Sequence, residues 1–226
     1  MNAFLLALYS GFSTVQKTPK SVQEPANPTN CFRAKRTANG WEPLMSLERK
    51  IDNPDTRLDN IEVETLDHAL DVLQKCRAAI GPASLEFLSL TYTASYQFSR
   101  HQFSSAHSIA WATLEGLLNV MWLDLQAQID VTSSGHTKLN NNLKKLLAGR
   151  NHTVSAVSQI LSIYQKIDDQ TLQTLNNARR KRNDFLHKLT PIETDDAVQA
   201  IMLATNLITN IAGIRVTLPL HLSSWL

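Results

Sequence analysis

One histidine and a cluster of cations fall together in the run Ala178-Arg179-Arg180-Lys181-Arg182-Asn183-Asp184-Phe185-Leu186-His187. A titratable imidazole can move a proton, guanidinium groups can hold a phosphate and stabilise the charge that develops on it, and a carboxamide can orient either. Those are the parts of a phosphodiester-cleaving site. With RNA the nucleophile can be the substrate's own 2′-hydroxyl, so this chemistry needs neither a protein nucleophile nor a metal.

The spacing predicts a helix over 169–189, with Asp169 in its first turn and Pro191 just beyond its end. Stepping about 100° per residue sorts its side chains into faces. Leu175, Ala178, Phe185, Leu186 and Leu189 form an apolar stripe that contains Arg182, whereas Asn176, Arg180, Asn183 and His187 form a polar stripe. A cation on an apolar stripe must meet a carboxylate or emerge at an interface, since an unpaired buried charge costs several kcal/mol. Glu115 is a candidate partner, and on that bland reading the two make a structural ion pair. The equally bland reading of the polar stripe is a solvated basic face carrying an ordinary surface histidine.

The elements that must position this run read as helices. The chain has 226 residues, only seven Gly and eight Pro, and long stretches with apolar residues at three- and four-residue spacing, which predicts an all-α fold. One segment from Thr65 closes at Gly81-Pro82, a second covers 84–100, and the most apolar covers 105–129 with Leu114, Leu117, Leu118, Met121, Trp122 and Leu125. That last stripe is too wide for one neighbour and marks a central helix. A loop at 130–137, a short helix carrying Leu139 to Leu147, a helix over 153–167 and a last long helix capped by Thr194 and running to Ala212 complete the series. Five of the eight prolines lie between Pro19 and Pro54, so residues 1–64 read as an arm or peripheral layer, 65–213 as the helical bundle and 214–226 as a tail.

Net charge is only +2, so attraction to phosphate has to come from the local patch. Arg179 to Arg182 point around most of a helix circumference and cannot all enter one DNA groove. Cys31 and Cys76 lack ligand or CxxC spacing, which favours two thiols in a reducing, cytoplasmic setting over a disulfide or zinc site. Phe4-Leu5-Leu6-Ala7-Leu8-Tyr9 is too short to span a membrane and has no preceding cation, so it reads as an apolar segment docked on the core. Asn151-His152-Thr153 fits a glycosylation sequon, read as accidental in that setting. His101 and His107 lack acidic or Cys neighbours at ligand spacing and read as satisfied or exposed structural histidines; no metal site and no cofactor is expected.

Arg182-Asn183-Asp184-Phe185-Leu186-His187 resembles the R-N/D/H-x-x-x-H signature of HEPN domains (higher eukaryotes and prokaryotes nucleotide-binding). The resemblance extends over roughly 84–213, through the helix with Trp111-Ala112-Thr113-Leu114-Glu115 and the long helix after the motif. It implies a metal-independent endoribonuclease, a toxin or anti-phage effector, with two copies of the motif meeting in a homodimer cleft. On that pattern Arg182 and His187 are the catalytic pair and Asn183 their polar support, with Arg179, Arg180 and Asn176 available to RNA phosphate. The family also contains inactive members that bind a nucleotide or a nucleotidyltransferase-type antitoxin, which is the alternative reading.

Overall fold

A computed structural model of the chain describes residues 2–15, 34–37, 40–43, 63–130 and 153–218. Among them are seven helices, α1 (Asn2–Val15), α2 (Val63–Ile80), α3 (Ser84–Ser99), α4 (Phe103–Asp130), α5 (Val154–Ile163), α6 (Asp169–Lys188) and α7 (Thr194–Ala212). Two four-residue strands, β1 (Ala34–Thr37) and β2 (Gly40–Pro43), pair antiparallel with Arg36 opposite Trp41. The architecture is an all-α bundle. The expected loop at 130–137, the helix after it, Cys31 and the sequon's first two residues lie outside the described residues, apart from Asp130 at the end of α4.

α4 organises the bundle. Leu114, Leu117 and Ala110 are fully or almost fully buried, and Trp111, Trp122 and Leu125 nearly so, so the helix needs cover on most of its circumference. α3, α5, α6 and α7 all pack on it. α1 lies against α2 and α3 and contributes Leu6 and Ala7, both with no exposed surface. The start of the expected arm is therefore core, because seven apolar residues in the first eight give a helix with something to bury. The C-terminal end is stitched to it, with Thr217 N donating to Ser10 Oγ at 2.9 Å and Val216 buried, so the expected tail begins inside the fold.

Helix boundaries follow local chemistry. α2 stops where Gly81 takes φ 88°, a conformation open to glycine. α5 ends at Ile163 rather than Ile167, because Gln165 turns left-handed at φ 56° and returns the chain so that Ile167 is buried. α6 begins at Asp168, whose carboxylate accepts from Thr171 N at 2.7 Å; this backbone hydrogen bond holds the Asp168 pKa below the usual carboxylate range. It ends at Leu189 in the left-handed region, with Leu189 N donating to Phe185 O at 3.0 Å. Glu193, not Thr194, is the N-cap residue of α7, and it makes no side-chain cap bond.

α3 and α4 approach closely at Gly116. A Cβ there would overlap the Phe87 ring, which is itself buried. Gly116→Ala should therefore lower stability by about 1–2 kcal/mol in urea unfolding, overpacking outweighing alanine's better helix propensity. Adding Phe87→Leu should recover part of the loss. A stabilised single variant, or no recovery in the double, contradicts this packing.

Candidate functional site

α6 changes character along its length. In its first half Leu175 and Ala178 are buried against the bundle, at 2 % and 5 % exposure. In its second half the same stripe comes out into solvent. Arg182 and Phe185 are half-buried, Leu186 is 48 % exposed and Leu189 79 % exposed. Arg182 accordingly sits where cover of the apolar stripe thins, with Phe185 still packed on the core and Leu186 and Leu189 beyond it exposed. Its Nη1 donates to Asn183 Oδ1 at 3.1 Å, and among the described residues no ion pair joins it to Glu115, which is half-buried on α4. The expected carboxylate partner is replaced by a neutral amide, because a half-exposed guanidinium has no need of charge compensation.

The four Lys and Arg of the run, with Lys188 just after it, divide into two classes. Lys181 Nζ reaches Asp196 Oδ2 on α7 at 2.7 Å, and Lys188 Nζ reaches Asp184 Oδ1 one turn back at 2.7 Å. These contacts raise the Lys181 pKa and lower that of Asp184. Lys181 thereby ties α6 to α7. None of the three arginines forms an ion pair among the described residues, although Asp184 is near enough to Arg180 to feel its charge. Arg180 Nη2 donates to Asn177 Oδ1 at 2.9 Å, Arg182 is held by Asn183, and Arg179 Nε is enclosed without a hydrogen-bond partner. A guanidinium positioned by a neutral carboxamide leaves net positive charge at the site, whereas one paired to a carboxylate makes a pair of zero net charge.

A hollow of about 630 Å³ runs along this helix. Asn176, Arg179, Arg180 and Asn183 line it together, as do Gln173, Asn177 and Asp184, three residues that the sequence pattern did not single out. Gln173 and Asn177 could have been found from the wheel, since each lies within one turn of Asn176. Arg182 and His187 do not line the hollow. His187 is exposed on the last turn of α6, and among the described residues its side chain makes no hydrogen bond. Five residues on one helix separate the pair by about 140° around the axis and about 7.5 Å along it. Asn183 joins the two regions, lining the hollow while accepting from Arg182, and it stands one turn from His187.

The chain matches no protein-family model, no curated protein and no solved structure. Among the described residues no group of three or more His, Cys, Asp and Glu is placed to hold a metal ion, and no helix is long and apolar enough to cross a membrane.

Beneath the Lys181–Asp196 pair lies a residue that the sequence pattern misplaced. His107 on α4 is neither satisfied nor exposed: it has no exposed surface, and neither ring nitrogen has a hydrogen-bond partner. Trp111 Nε1, one turn on, is also unpartnered. Burial pushes the His107 pKa down to about 4, with Asp196 opposing that shift and Lys181 adding to it. The unfolded chain therefore takes up this proton from about pH 6.5 downward while the folded chain refuses it until about pH 4. Stability should fall by about 2 kcal/mol between pH 7 and pH 5 from this group alone. Urea unfolding at the two pH values checks it. A His107→Phe variant that folds should lose most of that difference, and an equal loss in both proteins rejects the assignment.

Proposed function

We propose that the chain is a metal-independent endoribonuclease of the HEPN type, acting as a homodimer in the cytoplasm as a toxin or anti-phage effector. The observation that carries this reading is the sorting of charge on α6. Both lysines are neutralised by carboxylates, while Arg179, Arg180 and Arg182 are left for an external anion, beside an exposed His187. In the reaction His187 takes the proton from a ribose 2′-hydroxyl, and the 2′-oxygen attacks the adjacent phosphorus. Arg182 stabilises the phosphorane charge and the bond to the 5′-oxygen breaks, the leaving oxygen being protonated by the second imidazole or by water. The products are a 2′,3′-cyclic phosphate and a 5′-hydroxyl.

Dimerisation supplies what one subunit lacks. Arg182 and His187 diverge around α6, and Leu186 and Leu189 leave an apolar strip exposed between and beyond them. A second α6 packed on that strip would cover both leucines and bring one subunit's Arg182 toward the other's His187. The alternative, a non-catalytic module binding a nucleotide or a nucleotidyltransferase-type antitoxin, is favoured by one observation: nothing among the described residues orients the His187 ring within a single chain.

Incubating the parent, Arg182→Ala and His187→Ala with RNA in EDTA separates the readings. The parent should cut and leave cyclic phosphate ends, and His187→Ala should be slower by about 100-fold or more. Leu186→Glu should shift the protein to monomer in sedimentation and reduce cleavage in parallel. Equal cleavage by parent and His187→Ala, or none by the parent together with co-purification of a cognate protein, rejects catalysis.

A further inference from the structure

The hollow on α6 has a lining that phosphate binding alone does not call for. A phosphate site needs cations and N–H donors. Here Gln173, Asn176, Asn177 and Asn183 contribute four carboxamides, each with a donor and an acceptor, beside Arg179 and Arg180. Two of the four already have work within the chain, Asn177 holding Arg180 and Asn183 holding Arg182. Gln173 and Asn176, one turn apart, make no side-chain hydrogen bond among the described residues. No residue of apolar type lines the hollow. Its volume of about 630 Å³ lies within the range of small-molecule sites. The one carboxylate present, Asp184, is occupied by Lys188.

We propose that this hollow is a base-reading subsite for single-stranded RNA that favours adenine, with the Gln173 and Asn176 carboxamides on the base edge and Arg179 and Arg180 on the flanking phosphates. The choice of RNA rests on the ribonuclease reading. The choice of base does not. A carboxamide pairs in bidentate fashion with a donor beside an acceptor, and adenine presents that order twice, as N6 with N7 and as N6 with N1. Guanine's N7 and O6 are both acceptors, so guanine offers a matching pair only on its Watson–Crick edge, as O6 with N1–H, and each pyrimidine likewise offers one on a single edge only. Single strands leave both edges of a base open, whereas a paired duplex occupies one. Asn183 then links recognition to chemistry, because the residue at the end of the base site also holds Arg182.

The test uses the full chain and 5′-labelled eight-nucleotide homopolymers of A, C and U, 2′-O-methylated so that no 2′-hydroxyl attack occurs, with binding read by fluorescence anisotropy at one fixed salt concentration. The A oligomer should bind about 5- to 10-fold more tightly than the C and U oligomers. The double variant Gln173→Ala, Asn176→Ala should bring the three affinities within about twofold, the loss falling mainly on the A oligomer. Arg180→Ala should weaken all three alike. Gln173 is exposed and Asn176 half-exposed, so the double variant should unfold at the parent's temperature. Equal affinities in the parent, a preference for A that survives the double variant, or no RNA binding at all overturns the subsite. Because the probes cannot be cut, adenine preference in a protein that fails to cleave RNA removes the ribonuclease reading and keeps the subsite. Cleavage without preference does the reverse.

Discussion

The need to bury α4 on nearly every side sets the positions of the other helices. A 28-residue helix carrying Trp111, Leu114, Leu117, Leu118, Trp122 and Leu125 in its interior cannot be covered by one neighbour, and α3, α5, α6 and α7 each take a sector. α6 is the neighbour that covers it incompletely. Leu175 and Ala178 fill its share of the core, and beyond them the helix continues for about three turns in which Phe185 still packs on the core while Leu186 and Leu189 are open to solvent. The chemistry-bearing run lies on that overhang. Its position is nonetheless fixed from three sides, by the Lys181–Asp196 ion pair to α7, by the Asp168 cap, and by Ile192 N donating to Ser104 Oγ at the start of α4.

Much of the fold is written in periodicity. The three-and-four spacing over 105–129 predicts a central helix, and the segments from Thr65, over 84–100 and from Asp169 appear within a few residues of their expected limits, because their ends are marked by Gly81, Pro191 and acidic first turns. What escapes the sequence is tertiary. Arg182 looks anomalous on a helical wheel because the wheel treats the apolar stripe as buried from end to end, and only the packed bundle reveals that cover thins beyond Ala178 to the partly buried Phe185 and is gone at Leu186 and Leu189. Lys181 looks like a solvated charge because its partner Asp196 is fifteen residues away on another helix. His107 is invisible for the same reason: a polar residue in a buried α4 position carries no local mark of being enclosed. The hollow is half legible, since Asn176, Arg180 and Asn183 share a face by count alone, whereas Arg179 enters it from the edge.

The polar groups trapped near the α4–α6–α7 junction have an energetic side. His107 and Trp111 place three ring nitrogens in the core without partners, and each such group forfeits the hydrogen bond that water would have given it. Unpartnered hydroxyls of Thr65 on α2 and of Ser84 and Ser95 on α3 spread the same cost through the bundle, so local opening short of global unfolding has more than one place where burial is poorly compensated.

The division of the cations into paired lysines and amide-held arginines also fixes how many counterions the helix carries. Counting five basic residues suggests a patch that would grip any polyanion, yet two of the charges are already cancelled by Asp184 and Asp196. Three remain to condense solution anions and to give them up when a polyanion arrives. For a single strand, each neutralised phosphate contributes about 0.7 to the logarithmic dependence on salt, so the whole helix accounts for a slope of about 2. Such a surface holds a strand at moderate ionic strength and lets it go again, and tight retention would have to come from hydrogen bonds to the bases.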